Sequence, residues 1–225
     1  YKKEENRMNN IKQIGNTILA IILLGVCDFL ATTLFQDVMH TPLFLDTIFM
    51  MTALFMLGPV PAFFEYLVFI GLTCIKLKIL YGKTDMVYLY SLSALTIIIV
   101  TWLFVRKKER ISQDVNHTFL YILCAAVHAG FACSVVSGLI SCYTYPLNVR
   151  DWAFDRIIFA FSDEQAGLLS SAILGRIPVI VPDRVIATFA GFGIFKLYTH
   201  IVHSFGRRFS AGIQADSDMP ETGKS

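Results

Sequence analysis

The sequence predicts an all-α, polytopic membrane protein: a bundle of six transmembrane helices with both termini on the cytoplasmic side. Three observations carry this expectation. Hydrophobic residues make up 55% of the chain and charged residues 16%, with a mean hydropathy of +0.60, which is too apolar for an ordinary soluble domain. The apolar residues are gathered into runs long enough, as helices, to cross about 30 Å of hydrocarbon at about 1.5 Å per residue. The basic residues cluster beside these runs, so the small net charge of +2 reads as membrane topology rather than as a nucleic-acid surface.

The elements are expected in the following order. Residues 1–13 form a mixed-charge segment with Lys2, Lys3, Arg7 and Lys12, unlike a cleavable signal peptide. The first span covers 14–36 and carries Asp28 deep in its apolar run. The second, 42–57, is short at about 24 Å; Thr41 is placed to cap it, with Pro42 in its first turn and Asp46 in its opening turns. Gly58-Pro59-Val60-Pro61 ends that helix, because proline removes a donor and disfavours helix before it. The third span, 62–80, then returns as the second arm of a tight hairpin, with Glu65 in its first turn.

A fourth span covers 86–105 and is followed by Arg106, Lys107, Lys108 and Arg110. The fifth, 118–141, carries a stripe of small residues, Ala126, Gly130, Ser134 and Gly138, beside a second stripe of Ala125, Ala129, Cys133, Ser137 and Ser141. Such a smooth face lets another backbone approach closely; it suits packing within the bundle or docking to another subunit. A long outer connection, 142–181, holds Trp152, and its apolar end, 166–181, is expected to lie on or dip into the outer surface. The sixth span, 182–204, opens on Pro182, Asp183 and Arg184 and is followed by Arg207 and Arg208. Residues 209–225 are small and polar and are expected to form a disordered cytoplasmic tail. The transmembrane domain is thus expected to occupy 14–208. Three basic clusters on one side, against Lys76, Lys78 and Lys83 on the other, set the orientation.

Ionisable groups at membrane depth are costly and face protein or a cavity. Asp28 is the deepest acid and is expected to make an intramembrane hydrogen bond or a ligand contact. Asp46 and Asp183 fall near the outer surface, where they could rim one pocket. An acid in the first turn of a helix is also favoured by the exposed N–H groups and the dipole, an ordinary structural explanation for Asp183 and Glu65. Glu65 and Lys196 are expected to be structural and partners of each other. His200 and His203 lie at a helix end favoured by the dipole, and no metal site or cofactor is expected. The sequence contains no zinc-protease, nucleophile-elbow or phosphate-loop motif, so no enzymatic activity is expected.

Two stretches carry a family resemblance. "FLDTIFMMTALFMLGPVPAFFEYLVF", 44–69, resembles the second and third spans of proteins related to the substrate-capture (S) components of energy-coupling factor (ECF) transporters. "VPDRVIATFAGFGIFKLY", 181–198, resembles their sixth span, which opens with Pro-Asp and a basic residue. The resemblance implies a bacterial cytoplasmic membrane protein that captures a small, vitamin-like micronutrient on the outer side. Its implied partners are membrane lipid, a transmembrane coupling subunit and cytoplasmic ATPases, with no nucleic acid. Asp28, Asp46, Trp152, Asp183 and Arg184 are the expected substrate-binding residues, and Ala126, Gly130, Ser134 and Gly138 the expected partner interface. The chain departs from the S-component pattern where an alanine pair four residues apart is common on the first span: Ala20 is followed by Leu24 and Ala31 by Phe35. That departure motivates a second expectation, a membrane sensor or interaction subunit that transports nothing.

Overall fold

The computed structural model describes residues 2–39, 44–82, 86–106, 115–144 and 168–217, with 2–10, 168, 171, 203 and 205–217 as backbone. All regular elements among the described residues are helical. Helix α1 spans Lys2–Thr33 and passes into a π-helical turn, Leu34–Val38; α2 is Ile48–Leu57 and α3 is Pro59–Tyr81. A 3-10 turn, Val87–Tyr90, leads into α4, Ser91–Val105, followed by α5, Val115–Thr144, α6, Leu168–Leu174, and α7, Ile177–Ser217. Five helical stretches are long and apolar enough to cross a membrane. Helix α2, with 10 residues, reaches only about 15 Å, half of what crossing requires.

The helices close into a ring in which α1 packs on α3, α3 on α4, α4 on α5, α5 on α7, α7 on α2 and α2 on α1. Helix α2 also packs on α3, which makes it the innermost element. Met50, Met51, Thr52, Ala53, Leu54 and Phe55 are all buried. Around them lie Tyr66, Phe69 and Ile70 of α3, Ile97 and Ile98 of α4, Ala129 and Cys133 of α5, and Ile180 of α7. Phe55 meets Phe192 edge-on at 5.4 Å and Phe195 at 6.2 Å, spacings favoured by aromatic quadrupoles.

Helix α1 is patterned the opposite way from a soluble amphipathic helix. Its buried residues are Gly25, Asp28 and Thr32, spaced three and four apart and so on one face. Ile11, Ile14, Ile18, Leu19, Ile22, Leu23 and Leu30 are exposed. Small and polar residues face protein while large apolar ones face outward, the arrangement expected when the surrounding solvent is hydrocarbon.

Glycine sets the closest approaches. A Cβ at Gly25 would lie 2.9 Å from both the Glu65 carbonyl oxygen and the Val68 side chain, and one at Gly191 would lie 2.6 Å from Met51 Cβ and 2.8 Å from the Ile48 carbonyl. Farther along the same two helices, Lys76 pairs with Asp37 and donates to Thr33 Oγ1 at 3.2 Å. Contacts that advance together along both segments, Gly25 with Val68 and Thr33 with Lys76, show that α1 and α3 run parallel. The chain therefore returns across the bundle between Val38 and Pro59.

Several boundaries differ from expectation. Helix α2 starts at Ile48, not at 42, and Thr41 and Pro42 lie outside the described residues. The hairpin break is a single residue: Gly58 takes φ +101°, ψ −177°, a conformation open to glycine, while Pro59 occupies the first position of α3, where its missing N–H costs nothing. Pro182 is not a helix start but lies inside α7, which begins at Ile177. That helix continues to Ser217, past the expected end at 204 and into the segment expected to be disordered.

Because α2 lies directly on Gly191, Gly191→Ala should lower the thermal midpoint of the detergent-purified protein by several degrees, a cost of about 1–3 kcal/mol for overpacking. Gly71→Ala, where a Cβ meets nothing within 4 Å, should leave the midpoint unchanged or raise it.

Candidate functional site

The polar residues of the bundle converge on the N-terminus of α2. The first N–H groups of a helix have no partner within it, and in an apolar interior each must find one. Asp28 of α1 supplies two acceptors: Oδ1 accepts from Phe49 N at 3.0 Å and Oδ2 from Met50 N at 2.9 Å. A carboxylate from a different helix thus takes the role normally played by an N-cap side chain, and the positive end of the helix dipole favours it there. The residue in the capping position, Thr47, makes no capping bond of its own.

Thr47 is instead held from α7. Arg184 Nη1 donates to Thr47 Oγ1 at 2.5 Å, and Nη2 donates to Asp46 Oδ1 at 2.7 Å. Arg184 Nη2 also lies 2.6 Å from Asp183 Oδ2, while Asp183 Oδ1 accepts from Leu45 N at 2.9 Å. Leu45 adopts φ +47°, a conformation that costs a non-glycine residue about 1–2 kcal/mol; the Asp183 hydrogen bond fixes it. Residues 45–50 are therefore pinned from two sides, by α1 through Asp28 and by α7 through Asp183 and Arg184.

Burial separates the members. Asp28 and Asp183 are 0% exposed and Arg184 4%, whereas the Asp46 side chain keeps 19% of its surface. The ion pair between Arg184 and Asp46 therefore forms the open edge of a closed polar cluster. Sequence expectation placed Asp46 and Asp183 in the opening turns of helices. Both are corrected: Asp46 precedes α2, and Asp183 sits in the interior of α7, so helix-start electrostatics explain neither.

The structure brings Asp28, Asp46, Asp183 and Arg184 together; Trp152 lies outside the described residues. Sequence reasoning missed Thr47, which fell inside the expected second span, 42–57, with no role of its own. It also misplaced Glu65. That residue is the seventh of α3, beyond the reach of the helix-start groups, and is 0% exposed. Its carboxyl lies against that of Asp28, and neither oxygen has a hydrogen-bond partner of normal geometry. Lys196 does not pair with it: Lys196 is exposed and its ammonium lies 5.4 Å over the Phe192 ring.

The small-residue stripe on α5 is filled from within the chain. Ala126 and Ser134 are 0% exposed, Cβ atoms at Gly130 and Gly138 would lie 3.0 Å from Val181 Cα and 2.7 Å from Ile173 Cγ1, and these neighbours belong to α7 and α6. The expected partner interface at Ala126, Gly130, Ser134 and Gly138 is thus the seat of the chain's own last helices. At the end of α5, Ser141 accepts from Arg176 and lies 3.3 Å from the Tyr90 hydroxyl. His128 Nδ1 donates to the Cys124 carbonyl at 2.7 Å within the same helix.

No protein-family model, curated protein or solved structure matches the chain.

Asp28→Ala, which strips two acceptors from the start of α2, should destabilise the protein by about 2 kcal/mol, with Asp28→Asn, retaining one acceptor, costing less. Arg184→Met should cost more, about 3–5 kcal/mol, because it leaves acids buried without their cation. Thermal or denaturant unfolding in detergent checks both.

Proposed function

We propose that this chain is a multi-pass component of a bacterial cytoplasmic membrane that captures a small, vitamin-like micronutrient on its outer side, for ATP-driven uptake through an ECF-type transporter. The supporting observation is the convergence of Asp28, Asp46, Asp183 and Arg184 from three separate parts of the chain on one end of α2. A few oriented charged groups within apolar walls are what a small polar ligand needs for orientation. Asp46, the partly exposed member, is the point of entry, and a ligand's polar group would compete there for Arg184.

In this reading the chain crosses the membrane six times. Helix α2 and the residues before it together make the second crossing, consistent with α1 and α3 being parallel. The basic residues before α1 and after α4 put both termini in the cytoplasm. The α2 N-terminus then lies toward the outer side, about 25 Å along α1 from Ile11 at about 1.5 Å per residue. A transmembrane coupling subunit and cytoplasmic ATPases complete the transporter. The second reading, a non-transporting sensor or interaction subunit, is favoured by the missing alanine pair on α1.

Native mass spectrometry of gently extracted protein should show a bound small molecule. Asp46→Ala should weaken its binding at least tenfold, or about 1.4 kcal/mol, in a protein whose thermal midpoint shows it folded; unchanged affinity removes Asp46 from the site. Pull-down from native membranes should recover the coupling subunit and ATPases, and a different partner alone sinks the transport reading in favour of the sensor.

A further inference from the structure

A histidine in the middle of α5 faces away from the bundle. Helix α5, with 30 residues, is about 45 Å long at about 1.5 Å per residue. Hydrocarbon about 30 Å thick covers His128 whether it is measured from Val115 or from Thr144, the two ends of that helix. His128 is nevertheless exposed, while Ala125, Ala126, Ala129 and Gly130 beside it are buried in the bundle. Polar groups at such depth ordinarily face protein or a water-filled cavity, so the placement of His128 is inverted. Lipid alone covers this surface badly.

The hydrogen bonds define what is missing. Nδ1 donates to the Cys124 carbonyl at 2.7 Å, which assigns the ring hydrogen to that nitrogen and leaves Nε2 as an acceptor. Nε2 has no partner among the described residues. The Phe104 ring of α4, 5.2 Å away and tilted by 42°, packs against the imidazole but offers no donor to it. Acyl chains hold none either. A second copy meeting this one through the same face would set Nε2 against Nε2, acceptor to acceptor. Elsewhere on the chain, Thr17, Thr73, Thr96 and Thr199 donate to carbonyls of their own helices, and the Lys196 ammonium lies over the Phe192 ring. The donor therefore has to come from a different protein. We propose that the outer face of α5 around His128 docks a membrane-spanning helix of such a protein, one that presents a side-chain hydroxyl, amide or indole N–H to Nε2. Phe131, Val135 and Leu139, exposed and spaced three and four apart from His128 along that face, supply the van der Waals contact. This interface goes beyond the capture of a small molecule and stands whether or not one binds at Asp46.

The test puts p-benzoylphenylalanine, a photo-crosslinking amino acid, in place of Phe131 in the full chain, expressed in its native host. Irradiation should join the chain to another membrane protein. Peptide mapping should place the adduct on a membrane-spanning helix that carries a Ser, Thr, Tyr, Trp, Asn or Gln within one turn of the joined residue. At equal expression, His128→Leu should lower the adduct yield at least fivefold, whereas His128→Gln, which keeps an acceptor at similar reach, should hold it within about twofold. Adducts with lipid alone or with a second copy alone overturn the proposal, and so does the absence of any protein adduct. A protein adduct on a helix without such a donor, or one whose yield ignores His128→Leu, overturns it as well. Should His128→Leu fail to fold, an alanine at the mapped donor in the partner decides, with this chain left unchanged at position 128: a loss of at least fivefold supports the interface, and an unchanged yield overturns it.

Discussion

The capture of the α2 N-terminus by acids from other helices is the interaction on which the rest of the bundle depends. A helix of 10 residues cannot bring both its ends to water across a hydrocarbon layer, so its unpaired N–H groups must be satisfied inside the protein. Asp28 does so from α1, and Asp183 and Arg184 pin the preceding residues from α7. These bonds fix the depth of α2, the side of α1 that faces inward and the rotation of α7. Once α2 is fixed, Met50, Met51, Leu54 and Phe55 are delivered to the centre, and the other helices close around them.

The second constraint is distance. Van der Waals contact, rather than expulsion of water, must hold helices together in lipid, so backbones approach where side chains are smallest. Gly25 lets α1 lie on α3, Gly191 lets α7 lie on α2, and Gly130 and Gly138 let α5 receive α7 and α6. The polar cluster and the glycine contacts serve each other: Thr52 Oγ1 reaches the Gly191 carbonyl at 3.4 Å because no side chain intervenes. The same closeness buries the Glu65 side chain of α3.

Much of this was legible from composition and pattern. Apolar runs of membrane-crossing length identified five long helices, and the Gly58-Pro59 pair marked the hairpin, because length, hydropathy and backbone restrictions act locally. Asp28, Asp46, Asp183 and Arg184 stood out because charges within apolar runs are rare. Their partners did not. Asp183 looked like a helix-start acid behind Pro182, and Asp46 was placed in the opening turns of a helix begun by Thr41 and Pro42; the true boundaries, Ile177 and Ile48, depend on contacts with distant helices. Glu65 was misread for the same reason, as α3 starts at Pro59 and leaves it well inside.

The sequence by itself determined that the protein is helical, apolar on its outside and burdened with a few intramembrane charges, because those properties follow from residue type and spacing. Only the tertiary structure decided where the charges go. It joined residues more than a hundred positions apart, Leu45 to Asp183 and Thr47 to Arg184, turned the α5 stripe inward, and left Glu65 facing Asp28. Helix packing sets such pairings through three-dimensional distance, which spacing along a chain does not encode.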